Sequence, residues 1–184
     1  MTLDEIRIKI DEIDTQIKEL FADRMKCAKG VADVKNVTGG DVFVPEREKS
    51  IIEKRSENVS EDIKNGYVAF LKYLMSVSRQ YQYSLLDGMK SEVLSNITTG
   101  LNEDQAHNKI LISFLCDKNE NNLNLYINTI ALNNVKVSTI DATSNGDDLS
   151  CKITLEGSLD DEKIRTLLCQ LAKEAKDFKL MGLE

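Results

Sequence analysis

The feature that most constrains this chain is an uninterrupted helical pattern at its amino terminus. Between Leu3 and Val34, apolar residues recur every three or four positions for more than four heptads, which predicts one long amphipathic helix. The run Thr38-Gly39-Gly40 ends the pattern. At roughly 1.5 Å per residue the helix would approach 50 Å, too long for two short helices of the same chain to cover. We therefore expect a partner helix from a second copy of the chain.

Two shorter helices are predicted next, which makes the first domain an all-α three-helix unit. One begins at Pro45, because proline suits the first helical position, and runs to about Ser56. The other begins after Ser60, a candidate N-cap, and ends near Leu85. Its expected inward face consists of Ile63, Tyr67, Phe70, Leu74, Val77, Tyr81 and Leu85.

Beyond a polar segment the apolar period changes from helical to alternating. Strands are predicted at 109–116, 135–142, 149–155 and 178–183, with helices at 122–133 and 159–175. This βαββαβ order is that of a small α+β, ferredoxin-like domain. The predicted organisation is a helical domain at residues 1–95, a linker at 96–108 and an α+β domain at 109–184.

Charge and composition exclude several classes of function. The net charge of -7 opposes binding to nucleic acid and to anionic membrane surfaces. No apolar run approaches the roughly 20 residues of a membrane span, and the amino terminus lacks a leader pattern. A cytoplasmic protein is therefore expected. The four cysteines are widely spaced and are interpreted as reduced core residues, and the single His107 as a solvated linker residue. Neither a metal site nor a Ser-His-Asp or Cys-His site is predicted.

Arg24 is a charged residue at a position where the pattern calls for an apolar one. Its heptad column otherwise contains Leu3, Ile10, Ile17 and Val31. An ionised group in such a seam costs several kcal/mol unless an anion meets it. Two interpretations are equally good at this point: an internal ion pair with a carboxylate such as Glu48, or a site for an anionic ligand.

Lys35 follows Arg24 by eleven residues, about three helical turns, so both cations face the same way. Their Cα atoms would lie about 16 Å apart, a gap that two long side chains can narrow to the size of a small dicarboxylate. Taken alone, Lys35 is better explained as a solvated lysine near a helix C-terminus. Arg7 lies about 25 Å from Arg24 along the helix and cannot reach the same small ligand. Taken alone it is better explained as an ordinary surface arginine; the alternative is that it enters the site of a dimer partner.

The third helix places Ser78 and Gln82 on one inward face, since they are four residues apart. A helical serine can also bond to its own preceding turn, so neither residue alone indicates a site.

Together these residues match the pattern of a known family. Ile6-Arg7, Arg24, Lys35, a Gly-containing loop, Pro45-Glu46-Arg47-Glu48 and Ser78-Arg79-Gln80-Tyr81-Gln82 resemble, in order and spacing, the all-helical chorismate mutases. The resemblance covers about residues 3 to 85. It implies an intertwined homodimer that converts chorismate to prephenate by a Claisen rearrangement in Phe and Tyr biosynthesis. It also implies that no cofactor and no metal is used.

The resemblance assigns a role to each candidate residue. Arg7 would be donated by the partner subunit, while Arg24 and Lys35 would bind the two substrate carboxylates with help from Ser78. Lys35 and Gln82 would donate to the ether oxygen. Glu48 would accept from the ring hydroxyl, with Arg47 beside it. One departure is Val44, which stands where family members commonly have an Asp that caps the second helix.

The second half resembles the ACT regulatory module in element order alone, which implies Phe or Tyr as an effector. Amino-acid-binding members usually carry Gly in the loop after the first strand, whereas residues 117–122 contain none. A role in assembly is therefore at least as well supported. Two rival functions are a non-catalytic sensor of an anion or amino acid on this scaffold, and an interaction protein whose long helix is simply a dimer seam.

Overall fold

A computed structural model describes residues 1–102, 105–118 and 122–184. The first half of the chain consists of helices α1 (Leu3–Thr38), α2 (Pro45–Ser56), α3 (Glu61–Leu85) and α4 (Asp87–Ile97). The second half contains β1 (Lys109–Asp117), α5 (Leu123–Leu132), β2 (Lys136–Asn145), β3 (Asp148–Glu156), α6 (Glu162–Glu174) and β4 (Lys176–Leu183). Among these residues, no helix has the length and apolar character needed to cross a bilayer.

The long first helix is confirmed and extends over 36 residues. It starts with a capping box, in which the Thr2 hydroxyl accepts from the Glu5 amide at 3.2 Å and the Glu5 carboxylate accepts from the Thr2 amide at 2.7 Å. It ends at Gly39, whose φ of 75° favours glycine. In the single chain only Ala28 and Ala32 of this helix are buried, so most of its apolar stripe is exposed.

Helix α3 lies at the centre of the fold, and its buried face differs from the predicted one. Ile63 and Phe70, both expected to face inward, are 60% and 51% exposed in the single chain. The buried side chains are Leu71, Met75, Ser76, Ser78, Arg79, Gln82 and Tyr83. The reason is that α3 packs against α1 and α2 in its own half and also against α5 and α6 of the second half. Periodicity within the first half alone could not reveal the second set of contacts.

The second half forms an antiparallel sheet of order β2-β3-β1-β4, which confirms the ferredoxin-like α+β prediction. Alternate residues of β1 point to the core, where Ile110, Ile112 and Phe114 are fully or nearly fully buried. They pack in one cluster with Leu167 and Leu171 of α6. The open face of the sheet is the one away from the helices.

Helix α4 was not predicted, and it joins the two halves. Leu94 packs in the core of the sheet, whereas Val93 belongs to a second cluster with Tyr83 of α3 and Cys169 of α6. Its last residue, Ile97, enters the segment predicted as a linker. The proposed limits of the two domains therefore stay a prediction.

Two minor predictions need correction. His107 is half-buried rather than solvated, because its Nε2 accepts from the Leu159 amide at 3.0 Å and so ties the linker to the segment before α6. Cys27 is exposed, while the other three cysteines are buried and all four are free.

Candidate active site

A cavity of about 500 Å³ lies between α1, α2 and α3. Six of the seven side chains predicted from the sequence line it: Arg24, Lys35, Arg47, Glu48, Ser78 and Gln82. Apolar walls are supplied by Val42, Ile51, Phe70, Leu71, Leu74 and Met75. The volume is within the roughly 300–1,000 Å³ typical of small-molecule sites.

Arg24 projects from the middle of α1 across to α3. Its Nη1 donates to the Leu74 carbonyl oxygen at 3.2 Å and to the Ser78 hydroxyl. Burial lowers the pKa of Arg24, and the nearby charges of Glu48 and Cys27 only partly oppose this. Within the described parts of the chain Arg24 has no ion pair, so the internal pair with Glu48 is not formed. The alternative of an anion-binding site fits this arrangement.

Lys35 lies in the last turn of α1, where the chain turns back toward the cavity. Gly39 and Gly40, both with positive φ, make this turn, and the Asp41 carbonyl then accepts a hydrogen bond from Lys35 Nζ. Burial lowers the pKa of Lys35, the charge of Arg47 lowers it further, and Asp41 opposes both. Two further N–H groups of this ammonium remain for a ligand.

The start of α2 carries Arg47 and Glu48 on one side of the cavity. Pro45 occupies the first helical position, as predicted, and Val44 provides no side-chain cap. The helix therefore begins with amide groups that its N-cap residue leaves uncapped, beside the residues that line the site.

Ser78 and Gln82 lie side by side on the buried face of α3. The Ser78 hydroxyl donates to the Leu74 carbonyl at 3.1 Å, the local bond that a helical serine favours. Gln82 Nε2 donates to the Ser78 carbonyl at 3.2 Å, whereas the buried Gln82 Oε1 has no hydrogen-bond partner among the residues that the structure describes. Its amide still has one N–H to offer a ligand.

The main residue missed by the sequence analysis is Arg79, which also lines the cavity. Its side chain is only 3% exposed and contacts two carboxylates, Glu48 of α2 and Glu174 of α6. Burial by itself lowers the pKa of Arg79, but these two carboxylates outweigh it and raise the pKa above its ordinary value. Arg79 is a charge on a buried helix face with Leu71 and Met75, the same signal that identified Arg24.

Arg7 is not brought to the cavity of its own chain. Its side chain is 65% exposed and forms an ion pair with Asp4 at 3.3 Å, one turn earlier in α1. An exposed pair of this kind contributes little to stability, so Arg7 is free to move. Among the described residues, no cluster of His, Cys, Asp and Glu suits a metal ion.

Comparison with known proteins identifies the family. Residues 6–83 match the family model described as chorismate mutase type II. The chorismate mutase of Methanocaldococcus jannaschii is 47% identical over 66 residues, which cover 33% of this chain and 67% of that protein. The chain belongs to the chorismate mutase family. All seven predicted site residues lie inside the region matched to the type II chorismate mutase model.

A second relative is the bifunctional chorismate mutase/prephenate dehydratase of Aquifex aeolicus. It is 42% identical over 52 residues, which cover 28% of this chain but only 14% of that longer protein. No solved structure gives a significant match. The chorismate mutase family model ends within α3, before α4 and the second half.

Proposed function

We propose that this chain is a chorismate mutase, which converts chorismate to prephenate without a cofactor in aromatic amino acid biosynthesis. The observation that carries the proposal is that Arg24, Lys35 and Arg47 line one cavity together with Glu48. Chorismate is a dianion with two carboxylates and a ring hydroxyl. Arginine forks and a lysine bind carboxylates, and the Glu48 carboxylate accepts from a hydroxyl.

The electrostatics of the cavity favour a dianionic ligand. Burial lowers the pKa of both Arg24 and Lys35, which means that each cation is held in surroundings that disfavour its charge. Bound carboxylates would remove this penalty. Because both cations are partly buried, each contact to the ligand is less screened by water than it would be on the open surface.

The proposed reaction needs placed donors rather than a nucleophile or a base. In the rearrangement a carbon–oxygen bond breaks while a carbon–carbon bond forms within one molecule. The enzyme must hold the enolpyruvyl side chain over the ring and stabilise negative charge that grows on the ether oxygen. We assign the second task to Lys35 Nζ and the Gln82 amide, both of which have N–H groups left to donate.

The proposal includes a homodimer in which α1 pairs with the α1 of a second copy. In the single chain the apolar residues of its first half are 41–69% exposed, among them Ile6, Ile10, Ile13, Ile17 and Leu20. Such a stripe is a ready interface for a second amphipathic helix. Arg7 lies at the far end of this stripe, about 25 Å from Arg24, and we propose that it completes the partner's site.

Two further proposals concern control by an effector and the location of the protein. Control by Phe or Tyr stays a prediction from the ACT resemblance, and the Gly-less loop at 117–122 lies partly outside the described residues. A cytoplasmic location is proposed because Cys116 and Cys151 are free thiols with sulfurs 3.8 Å apart, as suits a reducing compartment.

The first test is the loss of chorismate absorbance on addition of pure protein. Lys35→Ala should lower kcat by about 10²–10³-fold, as expected for removal of one preorganised donor. The matched control is Lys29→Ala, which removes an exposed lysine of the same helix that pairs with Asp33. A folded wild-type protein that binds prephenate but does not convert chorismate would instead support a non-catalytic sensor. A folded protein that binds neither prephenate nor chorismate would support an interaction protein.

The second test asks whether Arg7 acts across the dimer. A mixed dimer of one Arg7→Ala subunit and one Arg24→Ala subunit should regain about one working site of two. Each parent variant should have none. If Arg7 acted in its own chain, both sites of the mixed dimer would stay defective.

A further inference from the structure

The last turn of α6 brings a carboxylate from the second half of the chain to the back of the cavity. Glu174 binds Arg79 through both oxygens, with Nε to Oε1 at 2.8 Å and Nη2 to Oε2 at 2.9 Å. Gln170, one turn earlier, donates to the same Oε1 at 3.1 Å. The Glu174 side chain is 3% exposed, so this is a fully enclosed pair.

Arg79 also contacts Glu48, a residue of the proposed active site. Its remaining nitrogen, Nη1, donates to Oε1 of Glu48, the carboxylate that we assign to the ring hydroxyl of the substrate. The ring of Phe43 lies 4.7 Å from Arg79 Cζ and covers the face of the guanidinium. Arg79 is therefore held on three sides, and its third contact fixes one oxygen of Glu48.

The geometry of the guanidinium explains why Glu174 matters. An arginine prefers to bind a carboxylate through two parallel N–H groups. Glu174 occupies the Nε and Nη2 edge and fixes the orientation of Arg79, in which one nitrogen, Nη1, donates to Glu48. Oε2 of Glu48 has no hydrogen-bond partner among the described residues and remains available to a ligand. Without Glu174, Arg79 could turn and bind both oxygens of Glu48, and its charge would add to those of Arg24 and Lys35.

We propose that Glu174 of the C-terminal domain is a positioning residue for the reaction, acting through Arg79 to hold Glu48 with one oxygen free for the substrate hydroxyl. This inference rests on the proposed chorismate mutase function. It makes the two halves of the chain parts of one active site. Lys173, beside Glu174, adds an exposed ion pair at 3.3 Å to Asp41, whose carbonyl accepts from Lys35.

The test compares Glu174→Gln with Glu162→Gln in the full-length chain. Glutamine keeps the size of Glu174, but its NH₂ group would face an arginine N–H, so the fork is no longer satisfied. Glu162 forms another ion pair between the halves, with Lys90, remote from the cavity residues. We expect Glu174→Gln to lower kcat at least tenfold, since a displacement of about 1 Å can cost roughly 10²-fold. Glu162→Gln should leave kcat within about twofold, because Glu162 is mostly exposed.

A double variant distinguishes a role of Glu174 in positioning Glu48 from a role only in holding the two halves of the chain together. In a Glu48→Gln background, Glu174→Gln should have little further effect on kcat, because the residue on which it acts is already lost. Equal losses in both backgrounds, or unchanged kcat with only a lower melting temperature, would overturn the role of Glu174. An inactive wild-type protein would instead refute the proposed function.

A structure of the Glu174→Gln variant tests the inference independently of turnover. We expect Arg79 to turn toward Glu48 and to bind both of its oxygens. Unmoved Arg79 and Glu48 side chains would overturn the proposal, whatever the kinetic result.

Discussion

Raising the pH should inactivate the enzyme through Lys35. Burial lowers the pKa of Lys35 below its ordinary value, the charge of Arg47 lowers it further, and Asp41 only partly opposes them. In the mechanism we propose, the protonated amine is the form that binds a carboxylate and donates to the ether oxygen. Activity is therefore complete below this lowered pKa and is lost as the pH rises through it. We expect kcat/KM for chorismate to decline along an alkaline limb that begins below about pH 10.4, the ordinary lysine value.

The size of the decline follows from the role of a single donor. Along the limb one deprotonation lowers kcat/KM about tenfold per pH unit. The curve should level off after a total loss of about 10²–10³-fold, because a preorganised donor contributes about 2.7–4 kcal/mol to the barrier. Lys35→Ala should show this low rate at every pH. Continuous measurement of chorismate absorbance between pH 7 and 11 gives the falling limb, and the rate of Lys35→Ala gives the level toward which it falls; circular dichroism confirms that the fold persists.

Lys35→Arg is the decisive control, because a guanidinium stays charged throughout this range. It should be slower than wild type, since its planar fork cannot reproduce the contacts of an ammonium, but its kcat/KM should not fall in the same pH window. If the alkaline limb persisted unchanged in Lys35→Arg, a group other than Lys35 would be responsible and the reasoning about Lys35 would be refuted.

Two further results are expected. Val44→Asp should raise the free energy of unfolding by about 1 kcal/mol, because Val44 leaves the amides at the start of α2 without a side-chain cap; an unchanged denaturation midpoint would contradict this. In the native protein at pH 8, at most one thiol per chain, that of Cys27, should react quickly with Ellman's reagent. Burial raises the pKa of Cys116 and of Cys169 to about 12, so two or more fast thiols would contradict the buried placement.

The first half was predictable because its signals are local. A charge in an apolar heptad column identified Arg24, and helical spacing placed Lys35 on the same face; both line the cavity. The spacing of Ser78 and Gln82 placed them together on α3, which the structure bears out. The alternating pattern of the second half was equally local, and the sheet follows it closely.

What the sequence could not show depends on contacts between the halves. The apolar residues of helix α4 contact two different clusters: Leu94 packs against the sheet, and Val93 packs against α3 and α6. The buried face of α3 was misassigned for the same reason, since α5 and α6 cover a side that periodicity in the first half left unassigned. Ser76 of α3, for example, forms a hydrogen bond with Thr129 of α5, 53 residues later in the chain.

Arg79 depends both on a local sequence pattern and on a contact between the two halves of the chain. Its place on a buried helix face is readable from the sequence, but the reason a charge is tolerated there is a carboxylate 95 residues later. A guanidinium enclosed to this degree is strongly destabilising unless both edges of its fork are satisfied. Glu48 satisfies one nitrogen and Glu174 satisfies two, so the stability of the interface and the orientation of Glu48 depend on the same group. A change that separates α6 from α3 must therefore alter the cavity as well, which is why the catalytic assay of Glu174→Gln reports on the contact between the two halves.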